Sequence, residues 1–133
     1  MTEVRYVNLD EWIRLASKTL NLDETTIRRV ADLDSADSAL HAPAAGFGDT
    51  EFYPHLTIKA AVLGWHLAKN HALPDGNKRT AFTTMVTFVR RNHAVWTEPD
   101  DDDAYAVMLD VAAGNMTVDE FAVWVTAHTT LPT

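Results

Sequence analysis

The chain has 133 residues, a hydrophobic fraction of 47%, a net charge of −8 and no cysteine. That length and apolar content fit one domain with its own core, and the missing thiols exclude disulfides, thiolate metal sites and cysteine nucleophiles. A chain with a pI near 5.0 repels a phosphate backbone, and no long basic stripe overrides that charge, so nucleic acid is not an expected partner.

The start, Met1-Thr2-Glu3-Val4-Arg5, lacks a basic segment followed by an apolar run, and no stretch approaches membrane-spanning length. The expected location is the cytoplasm. Asn8 and Glu11 have capping-box spacing, and Val7 and Trp12 can staple, which predicts a helix from about Leu9 to Leu20. Asp23 is the expected cap of a short helix through Val30, and Ser35 to His41 is expected to form another that Pro43 stops. From Pro43 to Pro54 the chain has no period, and irregular stretches of that length in compact domains are often functional. Ile58, Ala61, Val62, Trp65 and Ala68 share one face of a helix from about Thr57 to Asn70, which Pro74 and Gly76 forbid from continuing. Ala81, Phe82, Met85, Val86 and Val89 repeat the helical spacing, with Asn77 at the expected cap, its side-chain oxygen accepting a free backbone N–H.

Asp103 is the expected cap of a helix from about Ala104 to Ala113, with Gly114 as its terminator. Thr117 with Glu120, and Met116 with Phe121, repeat the capping box and staple before a last helix running to about His128. Trp12, Trp65, Phe82, Phe88, Phe121 and Trp124 fall on apolar helix faces and are expected in the core. Nothing alternates convincingly at period two. The expectation is one all-α domain over residues 1–133, with six or seven short helices and an irregular stretch at 43–54 as its only long loop.

The corner at His71-Ala72-Leu73-Pro74-Asp75-Gly76-Asn77-Lys78-Arg79 gathers a base, a carboxylate, an amide and two cations at a helix start. Unpaired N–H groups and the positive end of the helix dipole already favour an anion there, so cations in the first turn, where acids are normally preferred, point to an anionic guest such as phosphate. Each residue also has a plainer reading. His71 can be a helix C-terminal residue facing the last carbonyls, Pro-Asp-Gly is a common turn tripeptide, and Lys78 with Arg79 can be a solvated turn. The neighbours favour the chemical reading: beside Asn77, Lys78 and Arg79, Asp75 reads as a Mg²⁺ ligand, because magnesium on substrate phosphates takes only one or two protein carboxylates. A P-loop is excluded, since Asn77 and Ala72 stand where its glycines belong, and no His-Glu-x-x-His marks a zinc hydrolase. The run Asp100 to Asp103 lacks the alternating ligands of an EF-hand and reads as a solvated loop.

The same stretch resembles the signature of the Fic/Doc family, and Asn77-Lys78-Arg79 is closer to its death-on-curing branch than to the branch with Gly at the Lys78 position. Ser38-Ala39-Leu40, Pro43, Gly46-Phe47-Gly48, Tyr53-Pro54 and Lys59-Ala60-Ala61 are similar to the family's flap and central helix, and Asp110-Val111-Ala112-Ala113-Gly114 to the branch's C-terminal end. Leu73 departs from the usual Phe that anchors the loop; Leu can fill such a pocket with repacking, so a shifted or softer loop is expected rather than a lost site. The resemblance implies a helical domain in which His71 is the general base, Asp75 holds Mg²⁺ against ATP, and Gly76, Asn77, Lys78 and Arg79 cradle the phosphates. It further implies that Lys78 accompanies a reversed nucleotide that offers its γ-phosphate, so that a hydroxyl, a threonine of elongation factor Tu, is phosphorylated and translation stops. Such toxins pair with an antitoxin, here Phd-like, whose disordered C-terminal tail folds on binding; no self-inhibitory Ser/Thr-x-x-x-Glu-Gly/Asn helix is found in this chain. Gly46, Phe47 and Gly48 would align the target segment by backbone pairing. Two alternatives stay open: AMP transfer by the same residues, and an inactive helical module that binds protein.

Overall fold

A computed structural model describes residues 3–133. Among them are seven α-helices: α1 (Leu9–Leu20), α2 (Glu24–Val30), α3 (Leu33–His41), α4 (Leu56–Lys69), α5 (Asn77–Arg91), α6 (Asp101–Ala113) and α7 (Val118–Ala127). The all-α expectation holds, with two small additions. Gly46–Phe47 (β1) pairs antiparallel with Thr50–Glu51 (β2), and Val95–Trp96 (β3) with Thr129–Thr130 (β4). Strands this short have no period to read, so the stretch at 43–54 resolves as a 3₁₀ turn, Ala42–Ala44, followed by a hairpin.

Local signals set most helix starts. Asn8 Oδ1 accepts the Glu11 N–H at 2.9 Å while the Asn8 N–H reaches Glu11 Oε1 at 3.3 Å, and Thr117 and Glu120 exchange the same pair of bonds. These bonds hold the Glu120 carboxyl below the usual carboxylate range. Three starts differ from expectation. Helix α3 starts at Leu33 rather than Ser35, because Asp32 caps it, accepting the Ser35 N–H at 3.1 Å. Asp23 precedes α2 without making a side-chain cap bond. Asp100, not Asp103, sits at the N-cap of α6; Asp103 lies inside the helix, where its carboxylate accepts the Trp124 indole N–H at 3.1 Å. A partner 21 residues away outcompetes the local role.

Helix α4 is the central element, buried at Thr57, Lys59, Ala60, Ala61, Val62, Leu63, Gly64, Leu67 and Ala68. A helix apolar on nearly every side must be surrounded, and α4 packs chiefly on α5 and α7, with α3 and α6 beside it. Of the expected core aromatics, Trp12, Phe88 and Phe121 are fully buried; Trp65, Phe82 and Trp124 pack partly buried at its margin. The β3–β4 pair closes the C-terminus onto the end of α5, with Trp96 seated against Phe82 and Trp124 at 5.8 Å between ring centres. No helix among the described residues is long and apolar enough to cross a membrane. This packing fixes the loop between the two central helices.

Candidate active site

The loop joining α4 to α5 and the first turn of α5 carry the residues at 71–79. Asn70 caps α4, donating its side-chain amide to the Ser35 carbonyl at 3.2 Å, and the Asp32 N–H bonds the Ala72 carbonyl at 2.7 Å, so α3 pins the loop's first half. His71 between them is exposed and has φ 49, a left-handed backbone that costs a non-glycine residue about 1–2 kcal/mol.

Leu73 is buried, 4% exposed, inside the common core. It fills the anchoring position, and its backbone N–H and carbonyl are both bound by the Asn77 side chain, at 3.0 and 2.7 Å. Those two bonds explain a correction: Asn77 is the first residue of α5, not its cap, and its amide reaches back across the loop instead of capping the helix. Gly76 takes the N-cap place at φ 86, ψ 11. Any Cβ there would overlap the Leu20 side chain at the end of α1, so the position needs glycine for both conformation and space. No side chain caps α5, which leaves the N–H groups of its first turn open to an anion.

Asp75 is exposed and its Oδ1 accepts the Gly76 N–H at 2.8 Å. That bond orients one carboxylate beside the open helix start. A single oriented carboxylate is the protein share taken by a Mg²⁺ otherwise held by phosphate oxygens and water, so the donor set fits that ion. Lys78 and Arg79 form no ion pair among the described residues. Both line a groove of about 520 Å³ together with Phe82 of α5 and Asp101, Asp102, Tyr105 and Met108 of α6. The cations come from α5 and the acids from α6, so negative charge is favoured at the α5 side.

The flap residues Gly46, Phe47 and Gly48 are exposed on the β1–β2 hairpin, Phe47 at 84%. They stand on the other side of α4 in sequence, and their link to the loop runs through a residue the sequence did not mark as functional. Lys59, in α4, is 1% exposed and bonds both the Pro43 carbonyl and Glu51 of the hairpin at 3.1 Å. Burial pushes its amine down, but Tyr6 and Glu51 together outweigh burial and hold it above the usual lysine range. A lone lysine within an apolar run was the available signal. The groove wall from α6 had none, because Asp101, Tyr105 and Met108 approach Lys78 only through tertiary packing. Two other histidines, His41 and His128, each place Nδ1 near a carbonyl one turn back, at 2.9 and 2.8 Å.

A model of the Fic/DOC family matches residues 6–89, which runs from Tyr6 through the loop to the last turn of α5. The chain belongs to the Fic/Doc family. It is 39% identical over 95 residues to a Toxin Doc of Mycolicibacterium smegmatis (strain ATCC 700084 / mc(2)155), covering 71% of this chain and 73% of that protein. Together these similarities support a toxin of a toxin–antitoxin pair. The family match ends at Val89, so α6 and α7, and with them the acidic residues of the groove, lie beyond the shared segment.

Proposed function

We propose that this chain is a Doc-type toxin that transfers the γ-phosphoryl group of ATP to a protein hydroxyl, with a threonine of elongation factor Tu as the target and arrest of translation as the outcome. The observation that carries the reading is Lys78 in the first turn of a helix whose N-terminus no side chain caps, directly after a left-handed Gly76. A small residue at this position would leave room for a nucleotide turned to offer its α-phosphate; a lysine fills that space with a cation suited to the terminal phosphates. In this reading His71 takes the proton from the attacking hydroxyl, a step worth about 10²–10⁴-fold in rate. Asn77 holds the loop through Leu73, and Gly76 leaves the backbone N–H groups facing the phosphates. Lys78 and Arg79 balance charge as it spreads over the equatorial oxygens in transfer. Asp75 would hold Mg²⁺, which when bound neutralises phosphate charge. The groove beyond Arg79 receives the rest of the nucleotide or of the antitoxin tail.

The partner in this reading is a Phd-like antitoxin whose C-terminal tail folds into a helix on binding, and the location is the cytoplasm, where ATP and the target are found. The test is expression in a bacterial host. Wild-type chain alone is expected to arrest growth; His71→Ala and Asp75→Ala, each folded by circular dichroism, are expected to be harmless, and co-expression of a Phd-like antitoxin encoded beside this chain is expected to restore growth. Toxicity retained by folded His71→Ala overturns the assignment of the base. A harmless wild-type chain overturns the toxin reading itself.

A further inference from the structure

Lys59 is the most deeply enclosed cation among the described residues, and nothing in the proposed chemistry uses it. Its partners come from three separate segments. The Pro43 carbonyl belongs to the 3₁₀ turn at the base of the flap, Glu51 lies on the second strand of the flap, and the Tyr6 ring, 5.6 Å from Nζ, belongs to the N-terminal segment. A lysine at a helix surface normally extends its stem along apolar groups and leaves its ammonium in water; this one keeps the ammonium inside, at 1% exposure. Enclosing a charge is unfavourable unless it is paired and hydrogen-bonded, and the flap supplies the pairing.

The flap has little else to hold it. Each strand is two residues long, every residue from Gly46 to Phe52 is exposed, and an isolated hairpin of that size is not stable in water. The one backbone bond closing its base is from the Phe52 N–H to the Ala45 carbonyl, at 3.0 Å. Lys59 therefore fastens the flap to α4, and α4 is the helix whose last residue, Lys69, lies two positions before His71. Ten helical steps lead from Lys59 to Lys69, a rigid strut of about 15 Å. We propose that Lys59 is a positioning residue: by binding Pro43 and Glu51 it fixes the flap relative to His71, so that a target segment laid against the flap presents its hydroxyl to the base. The role in catalysis rests on the function proposed above; the anchoring of the flap does not.

The experiment separates the two. The chain has no cysteine, so spin labels can be placed on Phe47→Cys in the flap and Val123→Cys on α7, with Arg90→Cys and Val123→Cys as a control pair across the core. Electron–electron distance measurements on the full chain are expected to give one narrow distribution for the flap pair. In Lys59→Met and in Glu51→Gln that distribution is expected to broaden at least twofold while the control pair stays unchanged. Glu51→Gln changes only a half-exposed group and keeps the test readable if Lys59→Met does not fold. An unchanged flap distribution in the folded variants, or equal broadening of the control pair, overturns the anchoring. On the same variants, KM for the protein target is expected to rise at least tenfold, with kcat and KM for ATP within about threefold of wild type. A fall in kcat or a rise in KM for ATP of the same size as the target effect overturns the positioning role, because it marks general damage to the site. Should wild type transfer no phosphate at all, the function fails and the label distances still decide whether Lys59 holds the flap.

Discussion

Two segments of this chain read Asn-His-Ala, and each ends one of the two central helices: Asn70-His71-Ala72 after α4 and Asn92-His93-Ala94 after α5. Their backbones are alike. His71 has φ 49 and His93 φ 65, both are exposed, and the alanine that follows each is buried. Each asparagine ties its helix end to a neighbour, Asn70 to the Ser35 carbonyl at 3.2 Å and Asn92 to the Arg5 carbonyl at 3.0 Å. The difference lies in what comes next. After His93 the chain enters β3 and the aromatic cluster around Trp96, and no lysine or arginine follows it in the sequence. After His71 it turns through Asp75 and Gly76 into the uncapped start of α5, where Lys78 and Arg79 stand. A left-handed histidine is thus one way this chain stops a helix, and strain alone does not mark function. Chemistry arises where the returning loop brings a carboxylate, backbone donors and cations to the same end.

The sharpest way to break the comparison is to remove each imidazole. His71→Ala is expected to slow phosphoryl transfer by about 10²–10⁴-fold, and His93→Ala to leave it within about twofold, measured as initial rates at saturating ATP. Equal losses would erase the distinction. The two glycines with similar backbone angles give the next contrast. Gly76→Ala places a Cβ into Leu20 at φ 86, whereas Gly114→Ala at φ 82 meets only the flexible end of Lys69, at 3.4 Å. Urea denaturation is expected to show a loss of about 2–4 kcal/mol for the first, from strain plus overpacking, and about 1 kcal/mol for the second. Asn77→Ala removes the two bonds to Leu73 across the loop and Asn92→Ala the bonds to Arg5 and Phe88, so both should cost about 1–2 kcal/mol. Only Asn77→Ala should also slow transfer, since only its turn carries the proposed phosphate cradle.

The smallest effect concerns pH. Burial holds the His66 imidazole below the usual histidine range, so the folded state disfavours its charged form. Its contribution is fully present above the unfolded value, about pH 6.5, and is lost as the pH falls below that toward the lower folded value. His66→Gln should therefore flatten the decline in thermal stability as the pH falls below about 6.5. A parallel decline in His66→Gln would remove His66 as its cause.

What the sequence made legible follows from range. The capping boxes at Asn8 and Thr117 read correctly because both partners lie three residues apart, and the α4–α5 corner read correctly because Pro74 and Gly76 interrupt two strongly periodic runs. Asn77 misread because its partner Leu73 comes into reach only after Gly76 adopts a left-handed turn, at a place where Leu20, more than fifty positions earlier in the chain, leaves no room for a Cβ. Asp103 misread because Trp124 arrives from another helix. The flap hairpin was invisible as structure, its strands being too short to alternate, and Lys59 gave only a charge in an apolar run whose three partners are brought together by folding. Candidate residues for the site were thus readable as a local cluster, and the groups that hold them in place were not.

The central claim is that the loop after His71 directs the γ-phosphate to a protein hydroxyl. The most direct measurement incubates the protein with Mg²⁺, elongation factor Tu and ATP labelled on either the α- or the γ-phosphate, and reads which label enters the target. Label from the γ position alone, present with wild type and His93→Ala and absent with His71→Ala, is the predicted result. Label from the α position would contradict it, showing AMP transfer and a Lys78 that does not set the orientation of the nucleotide.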